Sequence, residues 1–397
     1  MRNIFSLYKT HRRLMRLLVS RPRMFASLAR IAAGPRLCAQ RYYDKGACVA
    51  APPVAITIRI TNRCNQRCIQ CGQWGEAGVF KRAGSSVFSP ELTTRQIKDF
   101  IDQVAGFRPL ISFFGGEPLL REDICELVAY ADSKDLLTEI FSNATLLEPK
   151  AQALVKAGLT FYRTSLDGPE PVNDKIRKGR DSFKAAVAGL RRLVSLRDSF
   201  RAPTPVIQIN TTITKENQHV LFDTALIAEA LKADVFSVLF GIFTTEELFA
   251  RSNEKFRRAF NVDWGYWRGF ILDRSGMDIA AIQKQIAAIK KRQWRFVYRQ
   301  EPQDSDQFDI GRHFNRPDLF HGKGLCILPW SRMHVLPNGD TALCEDFPDY
   351  ITGNILQQGP LDIWNGERYK KFRQYILDHG VFPVCSRCCG IDEVPYQ

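Results

Sequence analysis

The chain has 397 residues, of which 45% are hydrophobic and 25% are charged, and its formal net charge is +14. These proportions are typical of a folded protein with a large core and argue against a disordered chain. Because no run of about 18 apolar residues is present, and the early apolar run at residues 17–19 is short and flanked by arginine, the sequence predicts neither a membrane-spanning helix nor a secretory signal.

The first 45 residues are strongly basic, with eleven Lys or Arg and one acidic residue, whereas the rest of the chain has a net charge of only +4. Apolar residues recur at roughly helical spacing over residues 3–33, so we predict a basic, amphipathic helical arm over residues 1–50. The arm could lie on an anionic membrane, bind an acidic partner or nucleic acid, act as a mitochondrial transit peptide, or pack on the rest of the chain. We expect no specific nucleic-acid ligand.

From residue 54 onward, short β-type segments alternate with helical ones. Strands are predicted at residues 54–60, 110–114, 137–141, 160–165, 206–212 and 235–240. Helices are predicted near residues 93–105, 121–133, 147–157, 182–196 and 217–232. This alternation predicts an α/β fold with a parallel sheet and right-handed crossovers, and six βα units fit a partial (β/α)6 barrel over residues 51–245.

After residue 245 the composition of the sequence changes. Residues 246–320 are aromatic and charged, and we interpret them as an insert or bridge that shapes a substrate pocket; their aromatic residues could equally be core. Further on, Asn338-Gly339 stands between two short apolar runs, which is a strong hairpin signal. We therefore predict a small C-terminal α+β domain over residues 321–397.

The first group of cysteines, Cys64, Cys68 and Cys71, follows the first predicted strand with the spacing C-x3-C-x2-C. A loop after a barrel strand lies on the face that carries the chemistry. Three thiolates can hold three irons of a cubane cluster and leave the fourth iron open to a ligand. A zinc site is the alternative, although structural zinc usually takes four ligands and no fourth is adjacent.

The stretch from Thr61 to Cys71 resembles the cluster loop of the radical S-adenosylmethionine (SAM) superfamily, and the resemblance extends across most of residues 55–397. Gly-Gly-Glu-Pro after the second strand resembles the segment that binds the methionine part of SAM, with Glu117 facing the amino group. Gln70 stands where the family usually has an aromatic residue near the adenine. The resemblance implies SAM contacts at strand ends, where a turn or cap role is the alternative, from Gly115, Gly116, Glu117, Ser142, Asn143, Ser165, Asp167 and Asn210.

The second group of cysteines has the pattern C…G-x4-C…C-x2-C and comprises Cys326, Cys344, Cys385 and Cys388. This pattern resembles the C-terminal auxiliary iron–sulfur domains called SPASM and twitch. The chain has too few cysteines for two auxiliary clusters, so it resembles the single-cluster twitch form. A four-cysteine zinc site is the alternative, and Cys389 could replace Cys388 as the last ligand. We interpret Cys125 as a buried apolar residue.

The resemblance implies an enzyme with two [4Fe–4S] clusters that cleaves SAM reductively to a 5′-deoxyadenosyl radical. This radical would remove hydrogen from a small-molecule or lipid-type substrate, in an oxidation assisted by the auxiliary cluster. Glu345 and Asp346, beside Cys344, are candidates for the general base, or else solvated turn acids.

Two other functions are considered. A peptide maturase acting on a ribosomal peptide or protein is the alternative, although residues 1–50 are short for a leader-binding module. The SAM motifs disfavour a non-catalytic electron-transfer protein. The expected partner is a flavodoxin- or ferredoxin-type reductant, and the expected location is the cytoplasm, since cysteines that bind metal suit a reducing compartment. Peripheral membrane contact through residues 1–45 is left open.

Overall fold

The computed structural model describes residues 13, 15–19, 21–25, 27–31, 42, 46–83, 90–302, 308–321, 324–388 and 391. The strands found there are β1 Ala55–Thr61, β2 Leu110–Gly115, β3 Thr138–Ser142, β4 Phe161–Ser165, β5 Val206–Thr212, β6 Val235–Leu239, β7 Val297–Glu301, β8 Arg332–Val335, β9 Asp340–Ala342 and β10 Ile351–Asn354. The α-helices are α1 Val79–Ala83, α2 Thr94–Ala105, α3 Ile124–Ser133, α4 Leu147–Lys156, α5 Glu170–Arg177, α6 Ser182–Ser199, α7 Leu221–Ala230, α8 Glu246–Phe260, α9 Ile279–Lys291, α10 Ile310–Asn315, α11 Leu328–Ser331, α12 Pro360–Trp364 and α13 Glu367–His379.

These strands form one sheet in the order β10-β9-β8-β1-β2-β3-β4-β5-β6-β7. Strands β1 to β7 pair in parallel, β8 is parallel to β1, and β9 and β10 are antiparallel additions. The α/β fold class and the partial barrel are therefore confirmed, and all six predicted strands appear with both ends within one residue of their predicted bounds. The predicted C-terminal hairpin is β8–β9, and its pairing with β1 extends the barrel sheet.

Strand β7 is a difference from the prediction, because it lies in the segment that was interpreted as an insert. It pairs in parallel with β6 from Val235↔Val297 to Leu239↔Glu301. Its sequence, VYRQE, has no apolar run and only its fourth residue is buried. A half-exposed edge strand of this kind leaves little periodic signal in a sequence.

The inner face of the barrel is polar near its base. The carboxylate of Glu139 is almost fully buried, accepts a hydrogen bond from Ser112 Oγ (3.0 Å) and pairs with Arg163 Nε at 2.5 Å. Because successive strand residues point to opposite faces, the apolar residues of the same strands pack under the helices instead. The polar interior of the barrel continues toward the carboxyl ends of its strands.

The described part of the N-terminal arm packs against the barrel. Leu17 and Met24 are buried in a small apolar cluster with residues of β1, β2 and the start of β3. Arg13 Nε lies 3.0 Å from Asp234 Oδ1, and Arg21 pairs with Asp132. Of the proposed roles of the arm, docking is the one these contacts support, and residues 1–12 and 32–41 lie outside the described part. No helix among the described residues is long and apolar enough to cross a membrane.

We expect Met24→Ala to lower the free energy of unfolding by about 2–5 kcal/mol, because it would leave a cavity beneath the arm. The control is Met15→Ala on the same arm, whose side chain is 56% exposed, where we expect a change below about 0.5 kcal/mol. Chemical denaturation of both variants measures the difference. Equal, small effects would contradict the docking of the arm.

Candidate active site

A cavity of about 320 Å³ opens at the carboxyl ends of the barrel strands. The sequence-predicted residues that line it are Cys64, Cys68, Cys71, Gly115, Gly116, Ser142, Asn143, Ser165, Asn210, Glu345 and Asp346. Two further predicted residues, Glu117 and Asp167, are fully buried behind this wall. The cavity thus brings together residues that are up to about 280 positions apart in the chain. The strand-end residues meet because parallel strands end at one edge of the sheet, whereas Glu345 and Asp346 reach the cavity from the loop after the antiparallel strand β9.

The first cysteine group lies on the loop after β1, and hydrogen-bond donors point at its sulfur atoms. Gln66 N donates to Cys64 Sγ (3.4 Å), the peptide nitrogen three residues after Cys71 donates to Cys71 Sγ (3.3 Å), and Arg177 Nη1 lies 3.7 Å from Cys68 Sγ. Burial raises the pKa of Cys64 to about 12 and also raises that of Cys68. Half-buried thiols with N–H donors at their sulfur atoms suit thiolates bound to metal, so this donor set fits an iron–sulfur cluster with three protein ligands.

Asp167, two residues after the end of β4, holds the cysteine loop in place through its carboxylate. Its Oδ2 lies 2.5 Å from Arg177 Nη2 and accepts a hydrogen bond from Gln70 Nε2 (3.0 Å). Its Oδ1 accepts from Thr212 N (2.9 Å). Since Arg177 also reaches Cys68, the carboxylate connects two strand ends to the cysteine loop. We missed Arg177 as a site residue, because no feature of the sequence associates the end of α5 with Asp167 or Cys68.

Glu117 connects the ends of β2 and β3 in a similar way. Its carboxylate accepts hydrogen bonds from Leu119 N (2.9 Å), Ser142 Oγ (2.8 Å) and Asn143 N (2.7 Å). Burial raises its pKa to about 7. The bonds place the Ser142 and Asn143 side chains at the cavity wall. The expected contact of Glu117 with the SAM amino group stays a prediction, whereas its contacts within the protein assign it a positioning role.

The two glycines after β2 allow the backbone to pass close to the cysteine loop. Gly116 N donates to Thr61 O (2.9 Å) and Glu117 N donates to Arg63 O (2.8 Å). A Cβ atom on Gly115 would lie 2.4 Å from Thr61 O, and one on Gly116 would lie 2.2 Å from Arg63 O. No side chain therefore fits at either position without moving backbone.

We expect Gly116→Ala to displace the start of the cysteine loop and to lower the iron bound after reconstitution by at least about half, since clashes with backbone are not relieved by a rotamer change. The control is Gly106→Ala, where a Cβ would have no atom within 4 Å. Iron and sulfide counts on both folded variants measure the effect. Full iron content in Gly116→Ala would contradict this explanation.

The opposite wall comes from the short 3₁₀ helix Tyr266–Phe270 and from the C-terminal region. Tyr266 Oη accepts hydrogen bonds from Gln73 Nε2 (2.9 Å) and Arg59 Nη2 (3.2 Å). Arg59 Nη2 also donates to the carbonyl of Glu345 (3.2 Å). Residues of the predicted insert therefore line the cavity, and Tyr266, an aromatic residue whose sequence context fitted core and pocket equally, is one of them. Sequence reasoning missed Arg59, which with Tyr266 joins the cysteine loop to the Glu345 segment.

The second cysteine group lies on the far side of this wall, where Cys385 is buried and Cys326, Cys344 and Cys388 are half-buried. Burial raises the pKa of Cys344 and Cys385 well above the ordinary thiol value, and the nearby thiol of Cys326 raises both further. Cys388 Sγ donates to Asp346 Oδ2 (3.5 Å). Four thiols, with a carboxylate between them and the cavity, fit a second, closed cluster. Cys389, the alternative to Cys388 as the last ligand, lies outside the described residues.

The two candidate bases differ in environment. Asp346 is buried, and burial with the neighbouring Glu345 raises its pKa to about 7. The Glu345 side chain is 35% exposed, and His334 Nδ1 lies 3.8 Å from its Oε1.

Within the described residues, no group of three or more Cys, His, Asp or Glu side chains is arranged to hold a single metal ion.

Comparison with known protein families gives two matches. The model of the radical SAM superfamily matches residues 58–221, and a model described as an iron–sulfur cluster-binding domain, SPASM, matches residues 326–389. The second match begins at Cys326, so it includes the whole second cysteine group.

Several curated proteins are similar to the chain. AdoMet-dependent heme synthase of Methanosarcina barkeri is 32% identical over 346 residues, which are 84% of this chain and 88% of that protein. Fe-coproporphyrin III synthase of the same organism is 39% identical over 137 residues, 34% of this chain, so the match spans only 32% of that protein. The mycofactocin maturase of Mycobacterium tuberculosis is 31% identical over 198 residues, 49% of this chain and 45% of that protein.

Among solved structures, Streptococcus suis SuiB bound to SAM has the same fold, with a TM-score of 0.57, 17% sequence identity, and coverage of 83% of this chain and 69% of that one.

Proposed function

The chain belongs to the radical SAM superfamily, and from this premise we propose that it oxidises a small-molecule or lipid-type biosynthetic substrate bound between its two cysteine groups. It is an enzyme whose cofactors are SAM and [4Fe–4S] clusters. When bound, SAM and the reduced cluster supply a 5′-deoxyadenosyl radical that removes a hydrogen atom from an unactivated C–H bond. The residues of the chain bind these groups, orient them and receive the proton that the substrate loses.

In this proposal Cys64, Cys68 and Cys71 hold the cluster that binds SAM. The second cluster is held by Cys326, Cys344, Cys385 and Cys388. Gly115, Gly116, Ser142, Asn143, Ser165 and Asn210, at the strand ends, would hold SAM. Glu117 and Asp167 act from behind the wall, because their carboxylates already bind Asn143 N and Arg177.

One observation carries the proposal: a single cavity is lined both by the first cysteine group and by Glu345 and Asp346, which follow Cys344. A substrate in this cavity would lie between the two cysteine groups. In this proposal Glu345 or Asp346 would take up a proton on the side of the second group, which is what a two-electron oxidation requires. We expect Asp346→Asn and Glu345→Gln, compared with each other, to identify the acceptor by loss of product while SAM cleavage continues.

One observation supports a small molecule over a peptide. The relative matched along most of its length is named as a heme synthase, whereas the matches to the mycofactocin maturase and to PqqA peptide cyclase of Rhodopseudomonas palustris span less than half of those proteins. A peptide maturase is the second candidate, because SuiB, which has the same fold, has been solved with its precursor peptide SuiA.

The test is anaerobic reconstitution followed by incubation with SAM, dithionite and deuterated candidate substrates. Transfer of deuterium into 5′-deoxyadenosine from a small molecule, with a two-electron oxidised product, is the expected result. Transfer only from peptides would favour the maturase. As a radical SAM enzyme the protein needs a reductant, and we propose a flavodoxin- or ferredoxin-type protein for this role.

A further inference from the structure

A basic groove lies on the outer surface between helices α8 and α13, away from the active-site cavity. It consists of two adjoining cavities of about 730 and 460 Å³, which share Phe260, Lys371 and Gln374 in their walls. None of these walls contains a residue of the active-site cavity. We call this surface the α8–α13 groove.

The groove carries an excess of positive charge. Its Lys and Arg residues are Lys255, Arg258, Arg368, Lys370 and Lys371, against two acidic residues, Glu367 and Asp378. Both acids are engaged already, since Glu367 Oε1 lies 3.1 Å from Lys370 Nζ and Asp378 Oδ1 accepts from Gln374 Nε2 (2.7 Å). Among the residues that the structure describes, no carboxylate pairs with Lys255, Arg368 or Lys371.

Aromatic rings hold two of these cations in place. The Arg368 guanidinium carbon lies 4.4 Å from the centre of the Tyr350 ring, and Lys371 Nζ lies 5.7 Å from the centre of the Phe260 ring. Cation–π contacts of this kind orient a charge without neutralising it. The groove therefore presents ordered positive charges that can attract an acidic protein surface.

The ring of Phe382 lies between the floor of the groove and the second cysteine group. Tyr375 stacks on Phe382 with ring centres 5.1 Å apart and planes within 6°, and Phe260 lies 5.2 Å from Tyr375. The carbonyl of Phe382 accepts a hydrogen bond from Cys385 N (2.9 Å). A protein seated in the groove would thus be separated from Cys385 by the Phe382 residue.

We propose that the α8–α13 groove is the docking surface of an acidic electron-carrier protein of the flavodoxin or ferredoxin type. Charge complementarity selects an acidic partner, and the position of Cys385 behind the stacked Tyr375 and Phe382 rings selects a redox protein among acidic partners. The choice of a redox partner rests on the proposed function, because it assumes that Cys385 holds a cluster.

The test is binding of a flavodoxin, and separately of a plant-type ferredoxin, to the reconstituted protein at low and high salt. The double variant Lys255→Glu with Lys371→Glu should weaken binding by at least about 10-fold, because it replaces attraction by repulsion at the contact. The matched control, Lys284→Glu with Lys291→Glu on the exposed face of α9, makes the same change of net charge elsewhere and should weaken binding less than about 2-fold. Binding of the parent protein should also weaken as salt rises.

Equal weakening by the two double variants, or by neither, would overturn the proposal. So would equally tight binding of an acidic protein without a redox group, or of single-stranded DNA, at the same groove. Formation of 5′-deoxyadenosine with dithionite, which needs no protein donor, is measured on the same samples. Its absence in the parent protein would count against the proposed function and not against the docking surface.

Discussion

Replacement of Cys64, Cys68 or Cys71 by Ala is expected to abolish formation of 5′-deoxyadenosine from SAM. Each of the three thiols supplies one of the three protein ligands of the proposed first cluster. With one of these ligands removed, the protein would not retain the cluster. Iron bound after reconstitution should fall from about eight to about four atoms per chain, since the second group of cysteines is intact. Iron and sulfide counts, absorbance and product analysis measure these losses.

The matched control is Cys125→Ala. Cys125 lies in α3, packs against the apolar core and does not line the active-site cavity. Its replacement should leave the iron count and SAM cleavage unchanged. Full iron content and activity in any of the three single cysteine variants would contradict the assignment of the first group, and loss in all four variants would indicate damage to the fold instead.

Asp167→Asn is expected to have the largest effect on stability. Asp167 is fully buried and Arg177 nearly so, and their atoms lie 2.5 Å apart. Removal of one partner from a buried ion pair leaves the other charge without compensation, which costs about 3–5 kcal/mol. Because Arg177 also contacts Cys68, we expect lower iron binding in the same variant. Denaturant titration and iron counts measure the two effects.

An exposed ion pair serves as the control. Asp181 pairs with Arg180 and Lys184, and its side chain is 63% exposed. Asp181→Asn should therefore change the free energy of unfolding by less than about 1 kcal/mol. The double variant Asp167→Asn with Arg177→Met should recover part of the lost stability, because it removes the unpaired charge. If Asp167→Asn were as mild as Asp181→Asn, the central role of this pair would be wrong.

Much of the barrel was predictable from local pattern. Strands such as Val206–Thr212 are short segments rich in Val, Ile and Thr that lie between helical segments, and this strand has its predicted bounds in the structure. The hairpin around Asn338-Gly339 was predictable for a similar reason, since Gly339 adopts a positive φ of 86° in the turn. The loop that follows β1 carries all three cysteines of the first group, so their proximity follows from spacing alone.

Other features depend on contacts between distant parts of the chain. The sequence has no signal that places Arg177 beside Asp167 and Cys68, or Tyr266 between Gln73 and Arg59. The edge strand β7 was missed because pairing with β6, and not an apolar pattern, defines it. The groove between α8 and α13 arises from two helices more than 100 residues apart.

Family, fold class and the two groups of cysteines are all predictable from the amino-acid sequence, because each depends on short segments whose spacing or periodicity is constrained by local geometry. The folded chain is needed to distinguish the carboxylates in the cavity wall from those behind it, and to bring Glu345 and Asp346 into the same cavity as the first cysteine group. The packing of the described part of the basic arm on the barrel also appears only in the folded chain. Burial, ion pairing and hydrogen bonding depend on where distant segments meet, which a local pattern does not specify.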